Sequence, residues 1–192
     1  MKRDVATFKQ IKSSFLSCEK DAETIIKKLF VSSNPYSADL KRLLLINTKD
    51  CLDKSNEKYN KIIENTSVKE LIEGNYISLV PLVKMMEHEE VKNYIIISFD
   101  NFGSSENPEF RDCIISFDIY CHIDFWDLGN YALRPFKIAG IIDGILNNSK
   151  LSGIGRLEFM GLNQAVISET LSGYTLMYQA VHGGDDSVPV EE

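Results

Sequence analysis

The sequence predicts an α+β protein, and three observations carry that prediction. Phe8, Ile11, Phe15, Cys18, Ala22, Ile25 and Leu29 recur at spacings of three and four, one apolar stripe along a helix. From Asp112 to Phe125 the period drops to two. Cys113, Ile115, Phe117, Ile119, Cys121, Ile123 and Phe125 alternate there with Asp112, Ile114, Ser116, Asp118, Tyr120, His122 and Asp124. Helical spacing then returns in Ile138, Ile141, Ile142, Ile145 and Leu146 behind Pro135, and strand-like segments follow. Helices followed by β-β-α-β-β make two hairpins joined by one helix. The expected product is a four-stranded, mainly antiparallel sheet covered by helices on its apolar face.

The first helix should stop near Ser32-Ser33-Asn34-Pro35, and a partner helix should follow, capped by Ser37 or Asp39 and burying Leu40, Leu43, Leu44 and Ile46. Asn47 to Glu64 is polar, and within it Lys54 to Asn60 reads as a loop or an exposed helix end. A short helix from Val68 to Glu73 should end at Gly74, and Pro81 to Glu90 adds another turn or two. Tyr94 to Phe99 is a β-branched run before the turn-rich Asp100 to Pro108. The Cys113-to-Phe125 strand should bury Phe117 and turn Ser116 to solvent. In the Pro135 helix, Gly140 and Gly144 share a face and each cost about 1 kcal/mol against alanine, which close approach of a neighbouring backbone would offset. Leu151 to Gly155 reads as a loop. Arg156 to Leu162 and Gly173 to His182 are the last two strands.

With 192 residues the chain fits one domain, and 44% hydrophobic with 26% charged residues is ordinary globular composition. Residues 1–93 form a helical part packing on the sheet, 94–183 the β-β-α-β-β core, and 184–192 an acidic tail expected to be mobile. No apolar run is long enough for a membrane helix or a signal-peptide core, so a soluble, unprocessed, cytosolic product is expected. Cys18, Cys51, Cys113 and Cys121 make no CxxC unit and should be reduced and mostly buried.

Charge is uneven. Residues 1–93 carry 16 Lys/Arg against 14 Asp/Glu, whereas residues 94–192 carry 5 against 14, a balance of −9. That half repels phosphate and is a poor grip for DNA or RNA, although it is compatible with nucleic acid passing nearby.

A search for chemistry returns little. His88, His122 and His182 lack metal-ligand spacing, Cys121 and His122 point to opposite faces of a strand, and Asp50 with Asp53 does not match a calcium loop. Gly153-Ile154-Gly155 follows a helix and precedes a strand, the reverse of a phosphate-binding arrangement. What remains is a polar strip, Tyr120, His122 and Asp124, next to the aromatic connection that holds Trp126 and Tyr131. These five residues are the candidate interface for a subunit or partner. No catalytic, cofactor-binding or metal-binding residue is assigned, and no cofactor is expected.

The run Ile119-Tyr120-Cys121-His122-Ile123-Asp124, the segment from Arg134 to Asn147, Leu157-Glu158-Phe159, and Gly173 to Tyr178 together resemble tailed-bacteriophage neck proteins of the tail-terminator or tail-completion type, the head-tail connectors. The resemblance spans residues 94–182, and the stretch from Asn34 to Glu90 is longer than the minimal fold needs. It implies a small sheet crossed by a helix and a structural virion protein without enzymatic activity. Made in the host bacterial cytoplasm, such a protein forms a homo-oligomeric ring between portal or neck and tail tube. DNA then slides through the lumen without specific binding, and Asp112, Asp118, Asp127, Glu158 and Glu169, with Asp124, Asp185 and Asp186, are candidate lumen acids. The alternatives are a generic α+β ligand-binding or regulatory module and, after it, an enzyme built on the His122 strip.

Overall fold

Asn34-Pro35 sets the first boundary. In a computed structural model, which describes residues 18–31, 33–79, 92–104, 110–151 and 154–183, helix α1 (Cys18–Phe30) buries Ala22, Ile25, Ile26, Leu29 and Phe30. Phe8, Ile11 and Phe15 of the apolar stripe lie outside the described residues. Helix α2 (Pro35–Leu45) is capped by Asn34, whose Oδ1 accepts the Tyr36 N–H at 3.0 Å. Ser37 and Asp39, the expected caps, instead lie inside the helix, because Pro35 already supplies the fixed φ of a first turn. Helix α3 (Glu57–Asn65) occupies much of the polar stretch, capped by Asn56 and burying only Ile63. Helix α4 (Val68–Glu73) opens on a reciprocal Ser67–Glu70 capping box and closes at Gly74, as its sequence predicts.

Among the described residues the sheet has five strands: β1 (Ile77–Ser78), β2 (Tyr94–Ser104), β3 (Phe110–His122), β6 (Glu158–Val166) and β7 (Leu171–Gly183). Their order is β1-β2-β3-β7-β6, antiparallel throughout except for the parallel β1–β2 pair. Helix α5 (Arg134–Leu146) lies between the two hairpins and packs on β3 and β7. A two-residue ribbon of β4 (Lys150–Leu151) and β5 (Gly155–Arg156) occupies the expected loop. The β-β-α-β-β reading therefore holds, with β1 as an addition that two residues of sequence could not announce.

Register follows the alternation. Phe117 sits between Ile97 of β2 and Leu176 of β7, with Tyr178 edge-on at 5.9 Å, and all four are buried. The opposite face is less open than expected: Ser116 is 8% exposed, Tyr120 8% and Ile96 4%. On a central strand, neighbours on both sides cover even short polar side chains, so Ser116 is a buried residue and not a solvent-facing one. Strand β2 also runs on to Ser104 through a bulge at Asp100/Gly103, with Asn101 at φ 57°, where a turn was expected.

Two further expectations change. Gly140 and Gly144 have no atom within 4 Å of where a Cβ would stand, so no neighbouring backbone approaches them. Turning Ile138, Ile142 and Leu146 fully inward leaves the glycine row on the outside of α5. The alternation of β3 stops at His122, and Ile123–Phe125 form a 3₁₀ turn that exposes Ile123. The Pro81–Glu90 segment, the Ser105–Pro108 turn and the 184–192 tail lie outside the described residues.

One close approach does depend on glycine. At Gly173 a Cβ would stand 1.7 Å from the Ile119 carbonyl oxygen of β3. Since both atoms belong to backbone in the central strand pair, neither can yield cheaply. Gly173→Ala is expected to cost several kcal/mol through displacement of that pair. Urea unfolding measures it, and an unchanged midpoint would contradict the packing.

Candidate functional site

The region joining β3 to α5 holds most of the predicted site residues, and its geometry depends on Arg134. This side chain is fully buried. Its Nε donates to the Phe125 carbonyl at 2.8 Å, one terminal nitrogen to Leu43 at 2.6 Å and Ile46 at 3.0 Å, and the other to Thr48 at 2.8 Å. Leu43 and Ile46 lie at the C-terminal end of α2, where carbonyls lack intrahelical partners and carry partial negative charge. Asn93, just before β2, donates to the same Leu43 carbonyl at 3.2 Å. One guanidinium thus ties α2, the 3₁₀ turn and the start of α5 together. Sequence reading missed it, because an arginine gives no sign of carbonyl partners that lie 86 to 91 residues away.

The predicted strip of Tyr120, His122 and Asp124 breaks at His122, and the two aromatic residues beside it, Trp126 and Tyr131, part. Tyr120 remains on the outer face of β3, where burial, and after it the neighbouring Asp118, raises its pKa. His122 ends the strand and folds back on Asp124, with Nδ1 3.3 Å from the Asp124 amide and 3.4 Å from its carboxylate. Trp126 turns inward, its indole N–H on the Cys121 carbonyl at 3.1 Å and its ring 6.2 Å from Tyr174, so it is local packing. Tyr131 goes the other way and is fully exposed.

Tyr131 stands at the tip of a small hairpin. Asp127 bridges Leu133, Leu128 N–H donates to Ala132, Ala132 N–H closes on the Gly129 carbonyl at 2.9 Å, and Arg134 N–H donates to Trp126 at 2.7 Å. The Asp127 carboxylate takes the Lys49 ammonium and, after it, the Gly129 amide, and these hold its pKa below the usual range. The two central residues, Asn130 and Tyr131, have φ of 50° and 63°. That is the pattern of a type I′ turn, whose second position favours glycine. A tyrosine there costs roughly 1–2 kcal/mol and makes no packing contact in return.

The acids also separate. Asp112, Asp118 and Glu158 belong to the outer sheet face by register, Asp118 accepting the Thr175 hydroxyl at 2.6 Å. Asp124 and Asp127 lie in the β3–α5 connection, and Glu169 is exposed in the β6–β7 turn. Asp185 and Asp186 fall outside the described residues. No group of three or more His, Cys, Asp or Glu among the described residues is placed to hold a metal ion.

Two other surfaces stand out. Strand β6 is a sheet edge with Phe159, Met160 and Val166 about half exposed or more, and nothing from Phe159 to Ser168 is charged. Beside the N-terminal end of α1 and β2 there is a cleft of about 630 Å³.

The fold and these surfaces define an α+β protein whose exposed features are a strand edge, an aromatic tip and a cleft. The chain belongs to the YomW family, whose model matches residues 37–180, from α2 to β7; the family is phage-derived, of the SPbeta-like prophage group. No curated protein matches the chain. No solved structure matches it either. No helix among the described residues is long and apolar enough to cross a membrane.

Arg134→Met is expected to lower stability by roughly 3–5 kcal/mol, because it strands buried carbonyls at the end of α2, and Arg134→Lys should recover only part of this. Denaturant unfolding reports both, and a methionine variant within 1 kcal/mol of the parent, by the same order-of-magnitude scale, would refute the clamp.

The thiols supply a pH test. Burial pushes Cys113 and Cys121 up to about 12, with Cys18 and Asp21 adding to the shift at Cys113 and Arg134 opposing it at Cys121. An unfolded thiol titrates at about 8.5. The folded state therefore keeps protons that the unfolded chain releases, so stability is full below about pH 8.5 and falls as pH rises toward 12. Urea midpoints measured from neutral to alkaline pH should decline, and Cys121→Ala, although less stable at neutral pH, should decline less steeply.

Proposed function

We propose that this protein is a structural component of a phage particle, forming a homo-oligomeric ring at the head-tail junction that joins portal or neck to the tail tube. Strand β6 carries the reading: a nine-residue edge with exposed Phe159, Met160 and Val166 offers unpaired backbone groups to another chain, and it has none of the lysine or proline that usually blunts an edge. Membership of a phage-derived family supports the context. In a ring the contact is head-to-tail, the β6 side of one copy meeting the β1–β2 side of the next. With the outer sheet face toward the channel, Asp112 and Glu158 face passing DNA and repel its phosphates, Asp118 lies on the same face but is engaged by Thr175, and Asp124, Asp127 and Glu169 lie elsewhere. The protein then needs no catalytic group, and its partners are itself and the neighbouring neck and tail proteins. A second reading, a ligand-binding module, draws on the 630 Å³ cleft, whose size suits a small molecule.

Native mass measurement and negative-stain images of the purified protein, alone and with a portal ring, test the proposal. A ring of identical subunits is expected, and a monomer at high concentration and beside its neck partners would overturn it. Met160→Lys with Val166→Lys should abolish the ring while shifting unfolding stability by no more than about 0.5 kcal/mol per site.

A further inference from the structure

We infer that Tyr131 is the anchor of the subunit contact, inserting into the α1–β2 cleft of a second copy of this chain; the inference rests on the ring reading above. The first observation is conformational. A side chain at φ 63° strains its turn, and this one is fully exposed, so the fold gains no packing from it. Residues held in such conformations cluster at active sites, ligand clamps and switch regions, which marks this one as a contact candidate. The hairpin beneath is rigid, pinned by its cross-strand hydrogen bonds, the Lys49–Asp127 pair and the buried Arg134, so the ring is presented with little ordering entropy left to lose.

The second observation is a receptor on the same molecule. The cleft has apolar walls, among them Leu79, Phe99 and Phe102, and its described lining includes Glu19, Asp100 and Asp118 but no Lys or Arg. A phenol suits such a site: its ring covers the apolar wall and its hydroxyl donates to a carboxylate. The turn that carries it, Leu128 to Leu133, has no acid of its own, the carboxylate at its base, Asp127, is paired with Lys49, and the Asn130 amide is a further donor. Because Tyr131 is fully exposed it does not fill its own cleft, so each copy can give a tip and receive one. Such a contact is head-to-tail, and repeated it closes into a ring or grows into a filament.

Two variants, alone and mixed, test this by analytical ultracentrifugation and thermal unfolding. Tyr131→Gly should raise the melting temperature, since glycine relieves the turn, and should also abolish assembly. A simple structural role for the tyrosine would lower both. Ser98→Trp, which blocks the cleft and leaves the tip intact, should also be monomeric, and mixing it with Tyr131→Gly should give one-to-one dimers and nothing larger. If the unmodified protein forms rings and Tyr131→Gly forms them equally well, the anchor is wrong and the ring reading stands. If the unmodified protein is monomeric at every concentration, both fall.

Discussion

A buried positive charge bonded to main-chain carbonyls organises this molecule. Arg134 is the first residue of α5, where a cation gains nothing from its own helix, yet its guanidinium reaches the C-terminal end of α2, where the dipole favours it. Burying the charge is costly, and only the fixed fork of donors meeting several carbonyls at once offsets that cost. The consequence is geometric. Helix α2 cannot slide along α5, the 3₁₀ turn is held through Phe125, and the hairpin bearing Tyr131 springs from a fixed base.

What could be read from the sequence follows from the range of each interaction. The inward set Cys113, Ile115, Phe117, Ile119 and Cys121 was legible because every member faces the same core, and so was α5, whose buried isoleucines repeat at helical spacing. The same pattern misled at Ile123 and Phe125. Apolar alternation continues there, but the Asp124 amide turns back to His122 and the Ile123 amide goes to Thr170, a residue nearly fifty positions on. Strand β1 was invisible because two residues carry no period. The caps show the limit at short range: Ser37, Asp39 and Asn34 are all plausible, and Pro35 decides among them by fixing the first turn.

The candidate site was legible as a region and not as an arrangement. Tyr120, His122, Asp124, Trp126 and Tyr131 are close in sequence, and strand geometry would have aligned the first three. The turn at His122 breaks that alignment and sends Trp126 to the core and Tyr131 outward. Nothing in the order Gly129-Asn130-Tyr131 says that the tyrosine, and not the glycine, takes the second central position; that depends on where Asp127 and Leu133 pair.

The order of the strands carries one more consequence, for the timing of synthesis. Strand β7 is the last of the five to leave the ribosome, yet it lies between β3 and β6 and shares the longest ladder in the sheet, thirteen pairs from Phe110 to His122. Until Leu171–Gly183 emerges, β2 and β3 present one raw edge and β6 has no neighbour in the sheet. The β6 edge therefore takes its place in the sheet only after β7 has closed on β3, so a half-made chain lacks the edge that the proposed ring contact would use.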